Sequence, residues 1–168
     1  MNGGKIPEGA MPSQILDKIA LTKLANMNSA ELNEMILQEG TFGYNNHFAK
    51  EIYRCKVSGL GRKDCEAELD IKTGDILFFN NPSEYIPSKN IEDKEQIRKK
   101  LKKKVDAWFV PPEDAEFDGI YADPEMNTGN NMFEIRWKRK NWIGDYISII
   151  INPVSMKIWN FAMKWHDE

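Results

Sequence analysis

CEAELDIKTGDILFF, residues 65–79, reads as a strand, a polar turn and a second strand. Cys65, Ala67 and Leu69 alternate with Glu66 and Glu68. That period of two belongs to a strand with one dry and one wet face. Asp70-Ile71-Lys72-Thr73-Gly74-Asp75 supplies the turn. An Asp side chain accepts backbone N–H groups just ahead of it, and Gly tolerates positive φ. Ile76 to Phe79 is the next strand. Upstream, Tyr53, Cys55 and Val57 alternate with Arg54 and Lys56, and Gly59-Leu60-Gly61 makes the intervening turn. The three segments form an antiparallel meander.

Helical spacing appears on both sides of this meander. Ile15, Leu16, Ile19, Ala20 and Leu24 define one apolar face of a helix that Ser13 caps and that runs to about Met27. Asn28 with Glu31 marks a second short helix carrying Leu32, Met35 and Ile36 and stopping at Gly40. Thr41 to Ala49 reads as a loop. Asn80 to Lys89 carries two Pro and reads as a linker. Asn90 caps a long helix from Ile91 to about Phe109, with Ile97, Leu101, Val105 and Trp108 as its buried stripe. Pro111-Pro112 ends it and starts a turn of helix through Glu113–Phe117. Asp118 to Asn131 reads as a loop. Strands return at Met132–Arg139, Asp145–Ile151 and Lys157–Trp165.

The two halves carry the same order of elements. Aligning Asn152 with Asp70 sets an offset of 82 (152 − 70). At that offset Cys55 falls on Trp137, Leu69 on Ile151, Ile76 on Ile158 and Phe79 on Phe161. The expected fold is α+β: two tandem units, each of helices packed on an antiparallel sheet. The expected boundaries are a tail at 1–12, a first repeat at 13–80, a linker at 81–90 and a second repeat at 91–166. One such unit of about 80 residues buries only a small core, which favours two in one chain.

Leu69-Asp70-Ile71-Lys72-Thr73-Gly74-Asp75-Ile76-Leu77 resembles the strand–turn–strand signature of PepSY domains, a cystatin-like fold. Ile149-Ile150-Ile151-Asn152-Pro153-Val154-Ser155-Met156-Lys157-Ile158 resembles a second copy, with Asn for the Asp and Met for the Gly. Arg136-Trp137-Lys138-Arg139-Lys140 and Trp165 flank it as in tandem PepSY-like repeats of bacterial envelope proteins. In outline the architecture also resembles the two-repeat β-lactamase inhibitory protein. Both resemblances imply non-catalytic roles: inhibition or chaperoning of a protease, or protein binding.

Composition narrows the classes. Lys and Arg number 23 against 26 Asp and Glu, a net charge of -3, so nucleic acid is not the favoured partner. No apolar run approaches the roughly 18 residues of a membrane span. Two His and two Cys argue against a multi-His or Cys-rich metal site, and no cofactor is expected. Met1 to Pro7 lacks the basic and apolar regions of a secretory signal. That leaves the compartment open between the cytoplasm and a mature envelope or secreted domain.

Four sets of side chains carry candidate chemistry. If the hairpin turns about Leu60, Cys55 and Cys65 face each other, as a cross-strand disulfide or as two reduced core residues. Arg98, Lys99, Lys100, Lys102, Lys103 and Lys104 make six cations in seven residues. They form either a patch for an anionic partner or the solvated face of the helix. On the last strand Trp159, Phe161, Met163 and Trp165 are expected on the face opposite Ile158, where Phe133 and Tyr146 join them and Trp142 sits at a turn. Trp142, Tyr146, Trp159, Phe161 and Trp165 are therefore the expected surface for a protein partner or a second copy of the chain. His47 and nearby carboxylates are the place for a small-ligand or enzymatic alternative. Asp118, Asp123, Glu125 and Asn127 lack the spacing of an EF-hand and read as a solvated loop, so no metal site is expected. The leading expectation is a non-enzymatic protein-binding or inhibitory module of bacterial type. An immunity or adaptor protein using the basic helix is a further alternative.

Overall fold

Helix α1 (Ser13–Asn28) buries Leu16, Ala20, Leu24 and Met27, one side chain per turn. Pro12, not Ser13, occupies the N-cap position. Asn28 closes this helix and does not open another: its Nδ2 donates to the Leu24 carbonyl at 2.9 Å, and Ser29 turns left-handed at φ 51°. The chain structure, a computed structural model, describes residues 6–85, 93–122 and 131–167.

The short helix expected after Asn28 is only a 3₁₀ turn, Leu32–Glu34. Strand β1 (Ile36–Asn45) follows, where helix and then loop were expected. It pairs antiparallel with β2 (Lys50–Ser58), which pairs with β3 (Cys65–Asp70) and then β4 (Ile76–Asn80). The second half repeats this order. Helix α2 runs Lys94–Asp106, and its cap is Asp93, whose carboxylate accepts the Gln96 N–H at 3.2 Å. The expected start, Asn90 and Ile91, lies outside the described residues. Residues 115–122, expected as helix end and loop, are strand β5 (Ala115–Ala122). Strands β6 (Phe133–Arg139), β7 (Tyr146–Ile151) and β8 (Ile158–Lys164) complete the chain.

All eight strands form one antiparallel sheet in the order β1-β2-β3-β4-β8-β7-β6-β5. The join is β4 against β8, where Phe79 pairs with Phe161. Those two residues are copies of each other at the offset of 82, so a local pseudo-two-fold axis passes between them. Both helices lie on one face. Leu16, Leu24, Leu101 and Val105 pack there with Tyr53, Leu69, Phe133 and Ile149 in one continuous core.

Register refines the repeat. The two turns are the same to the hydrogen bond. Asp70 Oδ1 accepts from the Lys72 and Thr73 N–H groups, and Asn152 Oδ1 from those of Val154 and Ser155. Gly74 N–H bonds to the Asp70 carbonyl, and Met156 N–H to that of Asn152. Met156 takes φ 64° where Gly74 takes φ 76°. Strands β2 and β6, however, match at an offset of 80 (133 − 53): Tyr53 faces Leu69 as Phe133 faces Ile151. The counterpart of Cys55 is thus Ile135 and not Trp137, because the β6–β7 hairpin is two residues longer between matched pairs: 18 positions from Phe133 to Ile151 (151 − 133) against 16 from Tyr53 to Leu69 (69 − 53).

Candidate binding cleft

Each half has a bulge in its last strand. Ile151 pairs with Ile158 and Ile150 with Asn160, leaving Trp159 as the extra residue. The bulge restores Phe161 to the face of Ile158. Phe161 is 3% exposed and packs among the helices, so the expectation that it lies on a second, open face is corrected.

Phe161, Met163 and Ile76 floor a cleft of about 400 Å³ on the helix side, beside the β4–β8 join. Met27 and Lys23 of α1 form one wall, and the segment Trp108-Phe109-Val110 after α2 forms the other. Trp108 and Phe109 N–H groups bond to the Val105 carbonyl at 3.1 and 2.9 Å, which folds both rings back under the helix end. Their ring centroids lie 6.2 and 5.9 Å from that of Phe161. Pro112 lies in the lining, and Val110 is 88% exposed. At the rim, Lys23 Nζ donates to the Gly74 carbonyl at 3.0 Å and stands 3.4 Å from Asp75 Oδ1. An apolar floor with a few polar groups at the edge is the usual composition of a binding pocket, and about 400 Å³ falls within the usual range of roughly 300–1,000 Å³.

No family model matches the chain, and no curated protein does. Among solved structures it is similar to the Bacillus megaterium YpeB C-terminal domain, with a TM-score of 0.61 over 92% of this chain. Identity is 13%, and the match spans 64% of that chain's length. The likeness is one of fold, and it supports the α+β architecture.

The other aromatic residues expected on one surface are dispersed. Trp142 and Trp165 flank the Arg139 guanidinium, each ring centroid 4.9 Å from Cζ. Tyr146 lies on the sheet face away from the helices, its hydroxyl 2.8 Å from His47 Nε2. Trp159, at the bulge, packs 5.4 Å from Tyr85. Phe133 is buried under the helices. A single aromatic sheet face does not form, because the bulge separates residues that plain alternation would align.

Arg139 organises a site that sequence reasoning missed. Its Nε donates to Asp114 at 2.6 Å and its Nη1 to Asp145 at 2.9 Å. Burial opposes the guanidinium charge, and the Asp114 and Asp145 carboxylates outweigh it. The buried Asp145 also accepts the His166 backbone N–H at 2.9 Å and faces its ring nitrogen at 2.5 Å. Burial pushes the Asp145 carboxyl up, but the His166 N–H and Arg139 hold it below the ordinary range. Asp114, Arg139, Asp145 and His166 span 52 positions in sequence (166 − 114), and no local motif announces them.

The remaining candidates separate as follows. Register sets Cys55 opposite Ala67 and Cys65 opposite Val57, so the hairpin is centred one residue later than assumed and the cysteines do not face each other. Both thiols are free and buried. In the basic run, Arg98 Nε donates to the Ile120 carbonyl at 3.1 Å. Lys102 pairs with Asp106 at 2.8 Å and lies over the Phe117 ring. Lys99 and Lys103 are solvent-exposed. Among the described residues no cluster of His, Cys, Asp and Glu could hold a metal ion. Asp123, Glu125 and Asn127 lie outside the described residues.

Proposed function

We propose that this chain is a non-enzymatic protein-binding module whose partner places an apolar segment in the helix-side cleft. The carrying observation is the cleft itself: Trp108, Phe109 and Phe161 packed beneath an open mouth bordered by the 88%-exposed Val110. Aromatic anchors in a concave, largely apolar surface are what interface hot spots use. The PepSY-like turn and the fold likeness to the YpeB domain agree with a binding role. They extend it to inhibition or chaperoning of a protease, as the resemblance implies.

A displayed random-peptide library selected on the whole chain tests this. Peptides with apolar anchors are expected to be enriched and to change the fluorescence of Trp108. Val110→Asp puts a charge at the mouth and leaves the core untouched, and is expected to weaken such peptides at least tenfold. Enriched peptides that bind Val110→Asp as tightly as the parent would overturn the cleft reading. So would failure to enrich any peptide.

A further inference from the structure

A strand at a sheet edge turns the N–H and C=O of every second residue outward. It is a template for another strand unless something blunts it. Among the described residues no strand pairs with the outer side of β1 or of β5. These two edge strands are counterparts in the repeat, yet they are protected differently.

Strand β5 is blunted. After its bulge it keeps only Gly119 to Ala122 in register with β6. Glu116 and Asp118 charge it. Arg98 Nε of α2 donates to the Ile120 carbonyl at 3.1 Å, and the Tyr121 hydroxyl donates to that of Asp118 at 3.0 Å. Lys102 lies over the Phe117 ring. Strand β1 carries less protection. After its bulge the register runs unbroken from Glu39 opposite Lys56 to Asn45 opposite Lys50. Residues 36–45 contain no Lys, Arg or Pro, and Glu39 is their sole charge. Ile36 and Tyr44 are more than half exposed, as is Leu32 just before the strand.

We propose that β1 is a dimerisation edge, pairing antiparallel with β1 of a second copy about a two-fold axis at Phe42. In that register the numbers of facing residues sum to 84 (42 + 42). Thr41 then faces Gly43 of the second copy, and Glu39 faces Asn45, so no like charges are opposed. A side chain at Gly43 would meet nothing within 4 Å, which leaves room for the incoming Thr41. Phe42 already packs on Tyr53 with ring centroids 5.0 Å apart, and the two Phe42 rings add an aromatic pair across the axis. Such a contact uses the same patch on both copies and closes on itself. The blunted β5 edges then face outward, so assembly stops at two copies. Strand β1 lies three strands from β4, so this edge is separate from the helix-side cleft.

Sedimentation equilibrium of the whole chain over a concentration series tests this. Wild type should pass from monomer to dimer. Amide hydrogen exchange should slow in β1, and not in β5, as concentration rises. Gly43→Lys sets a charge on the edge where the monomer has room for it, and should weaken the dimer at least tenfold. Ile143→Lys removes the most exposed apolar side chain among the described residues, away from β1, and should shift the equilibrium less than threefold. A wild type that stays monomeric at millimolar concentration would overturn the proposal, as would an equal loss in Ile143→Lys. So would a folded Gly43→Lys that dimerises like wild type, or species larger than a dimer. Should Gly43→Lys fail to fold, exchange in the wild type decides: slowing in β5, or none in β1, overturns the β1 edge.

Discussion

Gly40 and Gly43 sit in the same strand and have opposite tolerances. A side chain at Gly40 would overlap the Tyr53 hydroxyl and ring, whereas one at Gly43 would meet nothing within 4 Å. Gly40→Ala is expected to cost about 1–3 kcal/mol by overpacking. Gly43→Ala should stay within about 0.5 kcal/mol. Chemical denaturation of both variants checks the contrast. Asp145 makes a pH prediction. Its carboxyl is depressed in the fold, so its contribution to stability is complete above the ordinary Asp value of 3.8 and is lost as pH falls through the lower folded value. Asp145→Asn should flatten the acid limb of a stability–pH curve in that window. An unchanged acid limb would remove Asp145 as a determinant. Burial pushes the Cys55 and Cys65 thiols up to about 12. At pH 8 a thiol reagent should leave both unlabelled in the native chain and label both on unfolding. The Asp70 turn was legible in the sequence because its function is local: one side chain bonding its own backbone. Met156 was not, since nothing in its residue type announces φ 64°.

Bulges hid the two edge strands and the true facing of the last one. Strands β2, β3, β6 and β7 keep their alternation along the buried face and were found. Strands β1 and β5 were missed. Each has a bulge at the corresponding place, between Leu37 and Glu39 and between Phe117 and Gly119. By register the helix-side residues then run Leu37, Gly40, Phe42 and Phe117, Ile120, Ala122, with Phe117 half exposed at the sheet edge, which breaks the period of two. The same device hid the cleft, because plain alternation throws Phe161 outward. Deleting Trp159 would leave Ile158, Asn160 and Phe161 in plain alternation, with Phe161 still facing the helices opposite Ile149. Inserting one Ala between Asn160 and Phe161 would instead turn Phe161 outward. The insertion should therefore cost more than about 3 kcal/mol, on the scale of emptying a buried Phe position, and the deletion should cost less. Thermal unfolding of the two variants measures the difference. An insertion no more harmful than the deletion would show that register does not set the face of Phe161.

At the scale of the whole molecule, the halves are not two bodies on a linker but two copies continuing one sheet. Phe79 pairs with its own counterpart Phe161, and the cleft lies beside that seam. Sequence reasoning reached the two copies but not how they meet. The contact involves residues 82 apart, for which periodicity carries no information. The chain happens to carry an intrinsic probe in each copy. All five Trp lie in the second, from Trp108 to Trp165, and both Cys lie in the first. A cooperative body gives coincident transitions by different probes. The direct test is equilibrium denaturation followed at once by Trp fluorescence and by pulsed labelling of Cys55 and Cys65. The shared sheet predicts one midpoint for both probes, and a common shift of both in Phe161→Ala. Separate midpoints, with Phe161→Ala moving only the fluorescence, would contradict it.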